Sequence, residues 1–249
     1  MPVLAALGPT VLGAAVLCLI TVGVLRLTGA PHRWAPTLAV LRGAAQLAVI
    51  SVVLAGVITS PVWVAVALLV MFSVATATAT RRIGWSGPHL ATMAAAMACG
   101  IAVTLTVVFS TGAIDFTARY ALAIGGIVIG NSMSIATLAG RRFAQSVTDQ
   151  WEQVEGWLAL GARPRESTKA LARGAVYSAL IPSTDQTKTT GLVTLPGAFV
   201  GAIFGGVSPL DAGRFQIVVL ASIMAAGSIT AALVVTALAP VRTRPPALD

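Results

Sequence analysis

The sequence has 249 residues, of which 57% are hydrophobic and only 10% are charged, and its formal net charge is +8. A soluble domain carries about 25% charged residues, because its surface has to stay in water. The composition therefore excludes an ordinary soluble domain and indicates a membrane protein whose outer face is solvated by lipid. The basic balance does not indicate a nucleic-acid partner, because basic residues collect in the cytoplasmic loops of membrane proteins.

Seven apolar runs are each long enough to cross a membrane, since a spanning helix needs roughly 20 mostly apolar residues. They cover residues 3–27, 37–58, 61–80, 90–110, 120–139, 187–206 and 214–238. The first run has no basic residue before Arg26, whereas a secretory signal begins with a basic segment, so we expect a retained transmembrane helix. The predicted fold class is all-α: a polytopic membrane protein of about seven transmembrane helices with one cytoplasmic helical insert.

The basic residues predict an orientation. With the N-terminus outside, 12 of the 16 Lys and Arg fall in inner loops or the tail. Arg119 and Arg214 fall outside, and Arg42 and Lys188 lie within or at the start of spans. We therefore expect an inner or plasma membrane protein with the N-terminus outside and the C-terminus in the cytoplasm. The expected organisation is spans one to five in 1–140, a cytoplasmic amphipathic insert in 141–186, and spans six and seven with the tail in 187–249.

No energy source or reaction centre is evident in the chain. The phosphate-loop pattern G-x-x-x-x-G-K-[ST] is missing, and no Asp, Glu or His falls clearly inside a predicted span. No nucleophile–histidine set or zinc spacing is apparent. We therefore predict a chain that is not an enzyme and binds no cofactor itself.

Several motifs together resemble a known family. Glu155 and Gly161 are six residues apart, as in the cytoplasmic "EAA" loop of ABC import permeases, although Gly156 and Trp157 replace the alanines of that loop. The wider pattern is the ordered series Leu41–Leu47, Gly130–Met133, Leu158–Ala162, Gly191–Gly197 and Phe215–Ile217. This series resembles the FetB-type permease family, also called UPF0014, which includes bacterial iron-export permeases and plant permeases linked to aluminium tolerance.

The resemblance implies a transport subunit that exports iron or another metal. It implies an ABC ATPase on a separate chain, which would hold ATP and Mg, and a homodimer of permease subunits within membrane lipid. The resemblance also implies that the insert docks into a cleft of the ATPase. The expected ATPase-coupling residues are Glu155, Trp157, Leu158, Leu160, Gly161, Ala162 and Arg163; the alternative is a helix lying on the membrane surface.

A second group of residues is a candidate translocation path: Arg42, Gln46, Asn131, Ser132, Asp185 and Lys188. Arg42 and Gln46 share a helix face, and an Arg inside a span normally faces protein or water. For each pair a structural reading stays open: snorkelling for Arg42, interhelical hydrogen bonds for Asn131 and Ser132, and a local ion pair for Asp185 with Lys188.

A third group predicts close helix packing or a hinge: Gly126, Gly130, Pro196, Gly197, Gly201 and Gly205. Small residues four apart let helices approach closely, and Pro196 would kink the sixth span. No metal site is predicted, since Met93, Met97, Cys99 and Met133 are better explained by apolar packing. The functional alternatives are a stand-alone channel or carrier, a membrane anchor, and an ABC permease for an organic solute such as a nucleotide sugar.

Overall fold

The computed structural model describes the backbone of residues 2–57 and 60–245 and the side chains of residues 8–51 and 60–245. The end of the predicted second span, at 58, and the last four residues of the C-terminal segment, 246–249, lie outside the described residues. The described chain forms ten helices and divides into two units, Met1–Ile58 and Thr59–Asp249.

The first unit is a pair of helices that contact each other. Helix α1 covers Pro2–Leu27 and helix α2 covers Ala35–Val57. Their bounds agree with the first two predicted spans. Gly29, between the two helices, has a φ of +66°, a conformation that glycine adopts without the penalty of a Cβ.

The second unit contains the other eight helices. These are α3 Pro61–Ile83, α4 Gly87–Ser110, α5 Ala118–Asp149, α6 Trp151–Ala159, α7 Pro164–Ser167, α8 Lys169–Thr189, α9 Gly197–Phe204 and α10 Pro209–Leu238. Three of the long helices begin at a hydroxyl residue whose oxygen accepts a backbone N–H three residues on: Ser86, Thr117 and Ser208. Such caps satisfy N–H groups that the first turn of a helix leaves without a partner.

Within the described residues, five helical segments are long and apolar enough to cross a membrane: Gly8–Leu27 of α1, α3, α4, α5 and α10. The part of α2 whose side chains are described is a shorter apolar helix, Ala35–Ser51. The prediction of an all-helical polytopic membrane protein is thereby confirmed.

Close glycine contacts set the register between neighbouring helices of the second unit. Gly125 and Gly140 of α5 lie against Leu68 and Ile83 of α3, so these two helices run parallel. Fifteen residues separate the two positions in both helices. The apolar core between the helices includes buried Met93, Met97, Ile124 and Val128.

The prediction of a single sixth span over 187–206 is wrong. Helix α8 ends at Thr189, a turn follows in which Thr190 and Thr194 form an isolated bridge, and α9 begins only at Gly197. Gly191 has a φ of +88°, and a proline at 196 disfavours the helical conformation at Leu195. Pro196 therefore precedes α9 and does not kink a continuous helix.

The insert predicted over 141–186 is helical, but its helices do not form a separate pair. Its first nine residues continue α5 as far as Asp149, and α6 and α7 are short. Helix α8 packs against α5 and α10, in a second cluster of buried residues that includes Phe143, Ala175, Ala179 and Val235. The insert is thus joined to the bundle through α8.

Candidate functional site

The α6 turn, defined here as Trp151–Arg163, holds the predicted coupling residues. Helix α6 ends in a Schellman motif: the N–H of Ala162 donates to the carbonyl of Trp157 at 3.0 Å, and the N–H of Gly161 donates to that of Leu158 at 3.0 Å. Gly161 has a φ of +88°, which this motif requires at the residue after the helix end. Gly161, the glycine of the "EAA"-like spacing, is therefore explained by the backbone conformation at the end of α6.

The α6 turn presents apolar side chains to the exterior. Trp157 is 52% exposed and Leu160 is 82% exposed, whereas Val154, one turn earlier in α6, is buried. Glu155 and Arg163 are also exposed, and Leu158 and Ala162 are half-buried. The predicted residues therefore form one surface with an apolar centre and charged ends, which suits docking to another protein.

Two hydrogen bonds fix the residues that flank the α6 turn on either side. The guanidinium of Arg244 donates through Nη2 to the carbonyl of Thr148 at 3.3 Å, near the end of α5. The hydroxyl of Thr168 donates to the carbonyl of Ala239 at 2.8 Å, just after the end of α10. Both bonds satisfy carbonyls at helix ends, and both join the turn region to the C-terminal segment.

The structure brings Asp185 and Lys188 together in an exposed ion pair on α8. Lys188 Nζ lies 3.3 Å from Asp185 Oδ1, and the two side chains are 70% and 61% exposed. The pair is local, three residues apart, as the simpler interpretation predicted. An exposed pair of this kind contributes little to stability in water.

Asn131 and Ser132 lie on α5, one half-buried and one buried. Asn131 Nδ2 donates to the carbonyl of Ile127 at 2.9 Å within its own helix. Ser132 is 1% exposed, and its hydroxyl has no hydrogen-bond partner among the described residues. The two side chains therefore differ: Ser132 belongs to the packed interior, and Asn131 is partly accessible.

Contacts at Gly227 of α10 show which residues of α5 and α8 lie at the same level along the helix bundle. Gly227 lies against Ile135 of α5 and Leu180 of α8. The Thr168–Ala239 and Leu180–Gly227 contacts show that α8 is antiparallel to α10. Helix α5 is parallel to α10, because the rings of Tyr120 and Phe215 meet near the starts of the two helices and Arg244, after α10, reaches Thr148 near the end of α5. Helix α8 is therefore antiparallel to α5, and Asn131 is level with Thr184. The candidate path residues Asn131 and Asp185 thus lie at nearly the same height.

Arg42 and Gln46 belong to the first unit. Both are exposed on α2 and are four residues apart, so they share one face of that helix as predicted.

The predicted packing glycines divide into two groups. A Cβ on Gly126 would lie 3.1 Å from Met71 Cε, so this glycine does contact α3, whereas Gly130 has open space around it. Gly197 and Gly201 also face open space, and Gly205 is close only to carbonyls of its own segment. Among the described residues, the glycine stripe of α9 therefore packs against no other helix.

Sequence reasoning missed the glycines that do fix the bundle. A Cβ on Gly100 of α4 would lie 2.6 Å from the Ala226 carbonyl of α10. Gly227 is enclosed by Ile135 and Leu180. Neither glycine belongs to a Gly-x-x-x-Gly repeat, although small residues flank Gly100 at four-residue spacing, Ala96 and Thr104, and Ala231 follows Gly227 at the same spacing. Gln216, within the Phe215–Ile217 motif, is buried with an Oε1 that lacks a partner in the described chain.

Within the described residues, no group of three or more His, Cys, Asp or Glu side chains is arranged to hold a metal ion. Cys18 is partly exposed and Cys99 exposed, and both are free thiols. A tight metal site of the usual kind is therefore not formed by these side chains.

Long apolar helices, a break after α8 and an exposed apolar turn define an α-helical polytopic membrane protein with a surface suited to a partner. The model of UPF0014, described as an uncharacterised protein family, matches residues 9–241. The chain belongs to this family.

The chain is similar to several curated proteins. It is 37% identical over 199 residues to the UPF0014 membrane protein STAR2 of Oryza sativa subsp. japonica, covering 78% of this chain and 69% of that protein. It is 33% identical over 195 residues to the UPF0014 membrane protein YjkA of Bacillus subtilis, covering 78% of each. It is 35% identical over 135 residues to the probable iron export permease protein FetB of Escherichia coli, covering 54% of this chain and 52% of that protein. No solved structure matches this chain.

Proposed function

We propose that this chain is the membrane-spanning permease subunit of an ABC transporter, in a cell membrane, with its N-terminus outside. A separate ATPase subunit would bind ATP and Mg and drive it. Membership of the UPF0014 family and the permease name of one relative support this proposal. No phosphate loop occurs in the 249 residues, so we assign ATP binding to a separate subunit.

The observation that carries the proposal is the α6 turn. Exposed Trp157 and Leu160 are held in a fixed geometry by the Schellman motif at Gly161. Tryptophan is a typical anchor in protein–protein interfaces, and an aliphatic side chain beside it can fill the same pocket. We propose that Trp157 and Leu160 insert into a cleft of the ATPase, with Glu155 and Arg163 at the rim.

The position of the turn suits mechanical coupling. Buried Val154 and the short connection to α5 fix one side of α6, and Thr168 ties the start of α8 to the end of α10. A displacement of the α6 turn would therefore be passed to α5 and, through Thr168, to α8 and α10. Packed helices transmit such shifts because protein interiors are dense.

We propose export of iron or another metal ion as the transport activity. The support is the name of the Escherichia coli relative, which covers about half of this chain. Asp185, Asn131 and the hydroxyls of α8 offer oxygen atoms, which hard metal ions prefer. Weak oxygen contacts along a route suit transport better than one tight site, because a transported ion also has to leave.

The alternative is a stand-alone channel or carrier, or an ABC permease for an organic solute such as a nucleotide sugar. The exposed, near-neutral Asp185–Lys188 pair fits a polar organic solute no worse than a metal. A channel would move its solute without ATP and would tolerate changes in the α6 turn.

The test is co-purification with candidate ATPases that carry a phosphate loop, followed by ATPase assays in lipid discs. Solutes would include ferrous iron, other divalent metals and a nucleotide sugar. We expect stimulation by one solute in the wild type and at least about tenfold weaker ATPase binding for Leu160→Asp with Trp157→Ala, since two interface anchors are lost. Gln153→Ala, an exposed change on the same helix, is the matched control and should leave binding unchanged.

Binding of the ATPase that is unaffected by the double variant would contradict the docking role of the α6 turn. ATP-independent flux of a solute through the chain alone would favour the channel. The mass of the purified complex in discs tests the proposed homodimer, for which two permease and two ATPase subunits are expected.

Arg42 and Gln46 are proposed to contact the solute or gate. Arg42→Gln should lower solute-stimulated ATPase turnover while leaving ATPase binding intact, because the α6 turn is unchanged. Equal turnover in Arg42→Gln and the wild type would contradict this contact and favour a structural role for Arg42.

A further inference from the structure

Helix α8 runs antiparallel beside α10 in a fixed register. The hydroxyl of Thr168 contacts the carbonyl of Ala239, and Leu180 contacts Gly227. Twelve residues separate the two positions on each helix, about 18 Å at 1.5 Å per residue. The same register brings Asp185 level with Ser222 and Lys188 level with Val219.

A second pair of contacts aligns α10, and through it α8, with α4. Thr230 Oγ1 lies 3.5 Å from the carbonyl of Ala96, and Gly100 faces Ala226. Leu180, level with Gly227, is therefore level with the middle of α4, which is a 24-residue helix apolar enough to span a membrane. The midpoint of α8 thus coincides with the midpoint of a spanning helix.

The length of α8 agrees with this position. Its 21 residues extend about 31 Å, which matches a hydrocarbon core about 30 Å thick. The following α9 has only eight residues, and Phe199 Cε2 lies 4.0 Å from a Cβ built on Gly213, near the start of α10. The end of α8 and the beginning of α10 are therefore on the same side of the bundle.

The exposed face of α8 is polar except for Ile181. Arg173, Tyr177, Ile181, Asp185 and Lys188 are exposed and recur at three- and four-residue spacing, so they form one stripe. Tyr177 is 72% exposed. Charged side chains at membrane depth are costly against hydrocarbon and normally face protein or water.

We propose that α8 is the sixth membrane-spanning helix and that this stripe lines a water-filled route for a polar or charged solute. The crossing by α8 replaces the span predicted over 187–206, so the proposed number of membrane crossings stays at seven. Lys169 then lies at the cytoplasmic end and Lys188 near the external end, with Asp185 in the outer half. The inference deepens the proposed function, on which the identity of the solute rests, but its test needs no ATPase.

Cysteine labelling tests the proposal. In a Cys18→Ala, Cys99→Ala background, single variants Lys169→Cys and Lys188→Cys are treated with a membrane-impermeant maleimide in intact cells and again after permeabilisation. Lys188→Cys should be labelled in intact cells, and Lys169→Cys only after permeabilisation. Labelling of both only after permeabilisation would put α8 in the cytoplasm and overturn the proposal, leaving the ATPase test untouched.

The water-filled route is tested separately, by the reaction rates of introduced thiols. Asp185→Cys and Tyr177→Cys should react with a small charged methanethiosulfonate at least about tenfold faster than Val103→Cys, because thiolates form in water. Val103 is the matched control: it is exposed on α4 and, by the Gly100–Ala226 register, level with Thr184. Equal rates at all three positions would overturn the route, and two test variants guard against one that fails to fold.

Discussion

Gly100 of α4 and Ala226 of α10 approach so closely that a Cβ at position 100 would lie 2.6 Å from the Ala226 carbonyl oxygen and 2.6 Å from Thr230 Oγ1. The carbonyl is backbone and cannot rotate away, so any side chain at position 100 has to separate the two helices. The contact lies at the middle of α4 and sets how near α4 and α10 can be.

Gly100→Ala should therefore destabilise the protein by about 1–3 kcal/mol, the usual cost of overpacking. Gly130→Ala is the control, because Gly130 has open space around it and should accept a methyl group without loss. Thermal unfolding in lipid discs compares the two. Equal midpoints for both variants would show that α4 and α10 separate freely.

Thr168→Val removes the hydroxyl that donates to the Ala239 carbonyl. Thr168 is fully buried, so the carbonyl would lose a partner that water cannot replace, at a cost of about 1–3 kcal/mol. Thr78→Val is the control, since the Thr78 hydroxyl bonds only to the carbonyl of Val74 in its own helix. A drop in unfolding midpoint confined to Thr168→Val is the expected result.

Thr104→Val should change stability in the opposite direction to Thr168→Val. The Thr104 hydroxyl is buried without a hydrogen-bond partner among the described residues, in a groove of about 300 Å³ between α4 and α10. Valine has nearly the same shape and no polar atom, so stability should stay equal or rise by up to about 2 kcal/mol. A loss of stability in the same unfolding assay would mean that this hydroxyl has a partner, such as a bound water.

Gly161→Ala tests the geometry of the α6 turn. Forcing a non-glycine residue into a left-handed conformation costs about 1–2 kcal/mol, and the Schellman motif should loosen. We expect weaker ATPase binding with little change in global unfolding, because the turn is exposed. Gly156→Ala lies within α6 with open space around it and should strengthen that helix slightly. Weaker binding in both variants would point to a sensitivity to any added methyl group, not to φ at Gly161.

Sequence reasoning located most spans because their signal is local. The runs predicted at 61–80 and 214–238 lie within α3 and α10, since apolar composition over about 20 residues directly reflects burial in lipid. The Glu155–Arg163 segment was identified by its resemblance to the "EAA" loop, whereas the helix end at Gly161 comes from the structure.

The error at the sixth span has a physical cause. Residues 187–206 are apolar through Leu192, Val193 and Leu195, but these side chains belong to an exposed turn. The sequence predicts residues 141–186, which include most of α8, as a cytoplasmic insert, because charged residues such as Arg173 and Asp185 lower the hydropathy of this segment. A helix of this kind is positioned by α5 and α10, and such long-range packing is absent from any local window.

The Thr168–Ala239 bond also bears on biosynthesis. Its two partners are 71 residues apart, and at about 5–20 residues per second Ala239 is made roughly 4–14 seconds after Thr168. During that delay α8 has no α10 to hold it, and its charged stripe gives it a weak tendency to enter lipid alone. We expect the insertion machinery to retain α8 until α10 emerges, so that the two helices leave it as one hairpin closed by this hydrogen bond.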